Sequence, residues 1–466
     1  MLFSSITFLF FFLPLAFLIY KIVPAKGKNL CLCILSGLFY AWGEPLGLFL
    51  MLGQIVVTFV LTNGSVKRKG TIMGRILYIL SVFVPFFFLF YFKYSYFFLH
   101  RLIPDMHQIT LPIGISFYTF QLVSYVIDVH RQDAQPQKKL IDLMTYITLF
   151  PQLIAGPIVR YTQIEQELTQ RKTSLEDISQ GCIRFTIGLA KKVLLANVLG
   201  EFAEEILSLA DHSTLIAWVY AATAAMQIYY DFSGYSDMAI GLGRMFGFHF
   251  PENFQYPFIS GSATAFWRRW HITLGAWFRD YVYIPLGGNR VSTIRWIVNI
   301  VIVWFLTGLW HGAGWNYIIW GLLFAILLLL EKGIRQFKVQ RREAEYIKST
   351  LCHVYMIVVI MVSFLIFRTE DMDLLKRILG SMFGVTTGAS DKSVIFYMIR
   401  NRAVLLVMGV AGTTPLPAWL WQKYRNVLSG GMLYQLTQMV AVIALLILCT
   451  AYLIDGSFNP FLYFRF

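Results

Sequence analysis

Charge is what this chain has least of. Asp, Glu, Lys and Arg make up 14% of its 466 residues against 57% hydrophobic ones, which excludes an ordinary soluble domain. Its five cysteines have neither zinc nor redox spacing, so no disulfide framework, zinc module or CxxC chemistry is expected. Cys31, Cys33, Cys182, Cys352 and Cys449 all sit in apolar contexts suited to packing. No P-loop, GxSxG or HExxH motif occurs, so the soluble-enzyme chemistries they serve are set aside. Internal repeats and low-complexity tracts are missing too, and with them the repeat symmetry of many transporters.

What remains is a series of apolar stretches of membrane-spanning length. Candidate spans are 3–23, 30–43, 47–62, 74–99, 112–129, 140–158, 181–199, 214–230, 297–310, 314–330, 350–367, 394–411 and 433–454. Some are short or interrupted by Gly and Pro, so about ten to twelve true crossings are expected. Residues 1–466 read as a single integral membrane domain of all-α, polytopic class. The first stretch lacks a basic n-region and carries Lys21 at its far end, so it reads as an uncleaved span rather than a signal peptide. The net charge of +14 comes largely from short inter-helical clusters. These are Lys26 and Lys28; Lys67, Arg68, Lys69 and Arg75; Arg131, Lys138 and Lys139; and Lys332, Arg335, Lys338, Arg341, Arg342 and Lys348. They read as positive-inside signals and lipid-headgroup contacts, with the N-terminus outside and no nucleic-acid partner.

Within this apolar background one ionisable ring stands out. Between Arg295 and Glu331 the ionisable side chains are His311 and Tyr317. An ionisable group at such depth marks a functional site by default. Gly308, Gly312 and Gly314 flank His311, and the expectation is that they thin the helix and admit a substrate. Trp310 and Trp315 are expected to bracket the ring. A second histidine, His271, lies in the aromatic-arginine stretch 261–295, which includes Trp267, Arg268, Arg269, Trp270, Trp277, Phe278, Arg279 and Tyr281. That composition is amphipathic and interfacial, and Pro285-Leu286-Gly287-Gly288-Asn289 should end it in a turn.

Asp231 and Asp237 flank Gly234, where a helix break is expected. Their bland role is pairing with arginines or capping helix ends, and either carboxylate can orient a histidine. Segments 111–118 and 150–160 carry Pro and Gly at membrane depth. Irregular backbone survives there only where protein buries it or water lines it, so both suggest an internal cavity or funnel. A histidine so isolated suits general-base activation of an acceptor hydroxyl better than metal binding or a proton relay. No metal site is expected. His311 should stay neutral, because charging it in apolar surroundings is costly.

Trp267-Arg268-Arg269-Trp270-His271, Arg279 through Gly288, and Trp310-His311-Gly312 resemble the signature of the membrane-bound O-acyltransferase (MBOAT) family. Phe8–Pro14, Phe39–Gly43, Tyr229–Asp237, Phe150-Pro151-Gln152 with Gly156-Pro157, and Asn459–Phe466 are similar to its bacterial polysaccharide branch. That branch includes the membrane subunit of alginate O-acetylation and peptidoglycan and cellulose relatives. The D-alanyl transfer protein of teichoic acid synthesis is a cousin.

The resemblance implies a ring of about 11 transmembrane helices, some broken or re-entrant, around a central funnel in a bacterial cytoplasmic (inner) membrane. It implies His311 as the principal catalytic residue and His271 as the second. Trp267, Arg268, Arg269, Trp270, Trp310 and Asp231 are the substrate-binding candidates beside them. No cofactor is expected. The acyl group, expected to be acetyl, would come from a cytoplasmic thioester, acetyl-CoA or an acyl carrier protein. It would pass to a cell-surface or exported polysaccharide, directly or through an extracytoplasmic, esterase-like acetyltransferase partner. The alternatives are D-alanyl transfer to teichoic acid from a carrier protein and, in a different class, a polysaccharide or ion transporter.

Overall fold

The computed structural model describes residues 1–100, 102–103, 107, 109–209, 213–336, 344–385, 392–428 and 431–456. Every element among them is helical. Lys338, Arg341 and Arg342 of the last basic cluster, and the closing Asn459–Phe466 stretch, lie outside the described residues.

Among the described residues six helices are long and apolar enough to cross a membrane: Pro45–Lys67, Ile72–Lys93, Thr293–His311, Trp315–Gly333, Thr350–Arg368 and Met432–Asp455. A seventh span is possible if Ser393–Asn401 and Ala403–Gly412, bent by 64°, act as one. By this measure about eleven spans remains an expectation. Several other expected segments form shorter helices, such as Lys28–Ala41, or are interrupted, such as 140–158. The first of these spans is apolar outward and more polar inward. On Pro45–Lys67, Leu46, Phe49, Val56, Val57 and Val60 are exposed while Gln54, Thr58, Thr62 and Ser65 are buried. That is the polarity a lipid solvent requires, since hydrocarbon tails take the apolar face and helix packing takes the small and polar one.

The chain divides into two compact units, Met1–Gly188 with Tyr235–Glu252, and Leu189–Gly234 with Asn253–Phe466. In the first unit the irregular segments 111–114 and 153–159 pack on each other. Gly114 adopts φ +74°, and a Cβ there would lie 2.6 Å from the Leu153 carbonyl oxygen, so both conformation and space require glycine. The backbone groups these breaks leave open are taken by side chains. Glu44 accepts from the Ile113 N–H at 2.6 Å, Tyr40 donates to the Ile113 carbonyl at 2.8 Å, and Tyr146 donates to the Val159 carbonyl at 2.9 Å. Around these segments it is therefore protein that buries the irregular backbone.

The helix Thr214–Met245 runs unbroken through Gly234, which corrects the expected break. Its carboxylates find ionic partners without one: Asp231 pairs with Lys192 at 2.5 Å and Asp237 with Arg184 at 2.6 Å. Both stand inside the helix rather than at its ends.

The second unit is built on an aromatic and aliphatic core that includes Trp304, Trp320, Phe324, Phe364 and Phe367. Its central hairpin is Thr293–His311 against Trp315–Gln336. The two helices approach closely because glycines face across the crossing. A Cβ on Gly321 would lie 2.3 Å from the Trp304 carbonyl oxygen, and one on Gly308 2.5 Å from that of Tyr317.

Candidate active site

His311 is the last residue of the Thr293–His311 helix, and the next helix starts at Trp315 after a three-residue turn. The ring is 2% exposed. Three aromatic rings stand edge-on to it, those of Trp310, Trp320 and Phe367, each with its centroid 5.0 Å away. Asn316 holds the Phe367 wall by donating to its carbonyl at 2.9 Å. Arg368 beyond it is tied to Gln227 and Glu204.

Two expectations need correcting here. Trp315 is 60% exposed and does not bracket the ring; Trp320, 1% exposed, is the second tryptophan wall. The flanking glycines do not open access either. A Cβ on Gly312 would lie 2.2 Å from the Tyr317 ring, and one on Gly314 2.5 Å from the Asn316 side chain. The space glycine leaves is occupied by the neighbouring helix, so these glycines serve close packing of the turn.

His271 is fully buried in the same unit, its ring centroid 6.5 Å from that of His311. Trp310 touches both imidazoles, at 5.8 Å from His271 and 5.0 Å from His311. The backbone brings His271 there by an unusual route. The expected interfacial helix is broken into Ala263–Trp267, Ile272–Phe278 and a π-helical turn Arg279–Tyr283. His271 stands at a junction with φ +43°, a left-handed conformation that costs a non-glycine residue energy and often marks a functional position. Segment 253–255 clamps that junction, since the Ile272 N–H donates to the Asn253 carbonyl at 3.0 Å and the Gln255 N–H to the Arg269 carbonyl at 2.9 Å. The Asn253 side-chain oxygen lies 3.1 Å from His271 Nδ1 and accepts from the Thr273 hydroxyl at 2.9 Å. His271 Nε2 is buried with no hydrogen-bond partner among the described residues. Burial pushes its imidazole down to about 3, so the ring is neutral at physiological pH.

The remaining candidates separate by position. Trp267 packs against Trp304 at 4.6 Å and Trp320 at 5.5 Å, so Trp320 links it to His311. Trp270 is core: it stacks on Phe266 at 5.6 Å and packs on Phe364 at 4.7 Å. Arg268 and Arg269, with Gln255, Ser262, Thr264 and Ala265, line a cavity of about 310 Å³. Arg268 is exposed, whereas Arg269 donates to the Gln255 carbonyl. Arg279 is engaged by its neighbour Asp280 at 2.7 Å. Asp231 is buried in its pair with Lys192, and no ring contact joins it to the two histidines. The turn after 283 forms as expected, with Gly287 and Gly288 at φ +101° and +57°. Asn299 fixes it by donating to the Leu286 and Gly288 carbonyls.

Sequence reasoning passed over Asn253, Thr273, Trp320 and Phe367. Asn253 offered one faint signal, an amide just after Pro251 in a loop bounded by aromatics.

Residues 138–370 match the family model described as MBOAT, membrane-bound O-acyltransferase family. The chain is 37% identical to a protein of Azotobacter vinelandii named probable alginate O-acetylase AlgI, over 100% of both chains. It is 40% identical to the Pseudomonas aeruginosa protein of that name, over 83% of this chain and 76% of the relative. It is 35% identical to the peptidoglycan O-acetyltransferase of Helicobacter pylori, over 72% of this chain and 71% of the relative.

Proposed function

The chain belongs to the membrane-bound O-acyltransferase family, and on that premise we propose that it moves an acetyl group from a thioester donor to a hydroxyl of a cell-surface or exported polysaccharide. The protein is a multi-pass membrane acyltransferase. The proposed setting is the bacterial cytoplasmic membrane, with the donor on the cytoplasmic side. The relatives named for alginate and for peptidoglycan O-acetylation support acetyl as the group and a glycan as the final acceptor.

The observation that carries the chemistry is the pair of buried imidazoles 6.5 Å apart with Trp310 against both. A thioester carbonyl and a hydroxyl brought against these two rings meet two proton-handling groups in water-poor surroundings. In the proposed step His311, neutral, takes the proton of the acceptor hydroxyl as its oxygen attacks the thioester carbonyl. The new C–O bond forms and the C–S bond breaks. The departing thiolate takes the proton from His311, which returns the ring to its starting state. His271 holds the acceptor or polarises the carbonyl. A thioester of coenzyme A or of a carrier protein brings phosphate, and the cavity with Arg268 and Arg269 on its wall has the charge to receive it. An extracytoplasmic esterase-like transferase is the proposed next recipient where the glycan is not acylated directly.

The test is acylation of the cell-surface polymer in cells carrying His311→Ala at normal protein levels. The expected result is loss of acylation. Acylation near the wild-type level would return His311 to the role of a buried packing residue.

A further inference from the structure

His271 sits in a hydrogen-bond arrangement that decides which of its nitrogens carries the proton. The Asn253 side-chain oxygen is assigned by its surroundings. It lies 3.4 Å from the Thr273 backbone N–H and 2.9 Å from the Thr273 hydroxyl. A backbone N–H only donates, and this one lies in the first turn of the Ile272–Phe278 helix, where no intrahelical acceptor exists. The amide atom facing it is therefore the oxygen; a flipped amide would set N–H₂ against N–H. The same oxygen lies 3.1 Å from His271 Nδ1. An acceptor there calls for a proton on Nδ1, which leaves Nε2 as a bare lone pair. Nε2 is the nitrogen that is buried without a hydrogen-bond partner among the described residues, so no donor among them occupies it.

We propose that Asn253 is a positioning residue that locks the His271 imidazole in its Nδ1–H tautomer, so that the buried Nε2 lone pair accepts from a hydroxyl of the glycan acceptor beside the one that His311 deprotonates. This rests on the acyl-transfer reading above and decides between its two roles for His271. A lone pair holds a hydroxyl; it cannot polarise a carbonyl, which needs a donor. The left-handed backbone at 271 and the clamp from segment 253–255 fix the ring's position, and the Asn253 amide fixes its protonation. The rings facing His271 are those of Phe232 at 4.7 Å, Trp310 at 5.8 Å and His311 at 6.5 Å. Of these only His311 carries an ionisable ring.

The experiment uses the full chain, labelled with ¹⁵N-histidine and held in lipid nanodiscs. Solid-state NMR then reads the protonation of each ring nitrogen. The chain has eight histidines, so the His271 signals are found by difference from His271→Gln. The expected wild-type spectrum shows a protonated Nδ1 and a pyridine-type Nε2. The reverse pattern would overturn the proposal without reference to activity.

Asn253→Ala should mix the two tautomers and lower polymer acylation about ten- to hundredfold, the scale seen when a metal-ligating imidazole loses the partner that orients it. Acylation within twofold of wild type in Asn253→Ala, at normal protein levels, would overturn the positioning role. Asn253→Asp keeps shape and an accepting oxygen but adds a charge. It should protonate Nε2 in the neutral-pH spectrum and depress acylation, which a merely structural asparagine would not do. Should His271→Gln acylate normally, the acceptor-holding role falls, while the spectrum alone still judges the hold of Asn253 on the ring.

Discussion

The second unit buries two pairs of ionisable groups, and they are built on opposite principles. Lys192 and Asp231 meet at 2.5 Å with both side chains almost wholly buried. Each is the other's counter-charge, so a substrate that claimed one would strand the other. His271 and His311 stand 6.5 Å apart among aromatic rings, and His271 is neutral and keeps a nitrogen unengaged. A buried ion pair is closed chemistry, whereas a buried neutral imidazole is open chemistry. The two sequence candidates for catalysis, His271 and His311, stand among the aromatic rings, and Asp231, a sequence candidate for substrate binding, lies in the ion pair.

The largest expected effect that tests this contrast is at His311. Replacing a general base removes about 10²- to 10⁴-fold in rate, so His311→Ala should abolish measurable polymer acylation with protein level unchanged. Next comes Lys192→Met, which removes the lysine counter-charge of the buried Asp231. It should cost about 3–5 kcal/mol of stability, read as a lowered unfolding temperature in detergent and a loss of protein from the membrane. The double variant Lys192→Met with Asp231→Leu should recover most of that loss. An Asp231→Asn protein of full stability and no activity would break the comparison by moving Asp231 into the reaction.

Gly321→Ala brings a Cβ to 2.3 Å from the Trp304 carbonyl oxygen. Overpacking of this kind should cost about 1–3 kcal/mol, seen as reduced thermal stability. It should lower activity too, because the same hairpin carries His311.

The pH dependence should be smaller and has a definite sign. The His271 imidazole titrates near 6.5 unfolded and at about 3 when folded. Its contribution to stability is complete above 6.5 and declines as pH falls from 6.5 toward 3, because the unfolded chain takes up the proton first. The drop in unfolding temperature between pH 7.5 and 5 should therefore be smaller in His271→Gln than in wild type. The smallest effect is expected at Arg268, which is exposed. Arg268→Ala should raise the donor concentration needed for half-maximal rate by about fivefold, equivalent to about 1 kcal/mol, without changing the maximal rate.

The contrast also separates what the sequence reveals from what it hides. Both histidines announce themselves as ionisable rings in apolar surroundings, and the fold brings these residues forty apart into one box. The all-helical, membrane-spanning class is equally legible, because lipid enforces long apolar runs. The walls of the box are not. Trp320 and Phe367 are ordinary apolar residues of their helices, and only the hairpin geometry turns them toward His311. Asn253 is one amide in a loop, given meaning by Thr273 and His271 across a turn. The glycines mislead in a systematic way: local reasoning reads them as openings, but Gly308, Gly312 and Gly314 mark where another helix fills the space. Gly234 misleads similarly, since its helix continues once Lys192 and Arg184 neutralise the carboxylates on either side of it.

The left-handed backbone at His271 has an experimental consequence. At φ +43° the position suits glycine better than any residue with a Cβ, by about 1–2 kcal/mol. His271→Gly should therefore relax the chain while emptying a ring-shaped space beside Trp310. Free imidazole supplied from solution has the size and chemistry to refill that space. Activity regained in this way, dose-dependently and not with similar-sized toluene, would give a reversible chemical switch for polymer acylation in intact membranes.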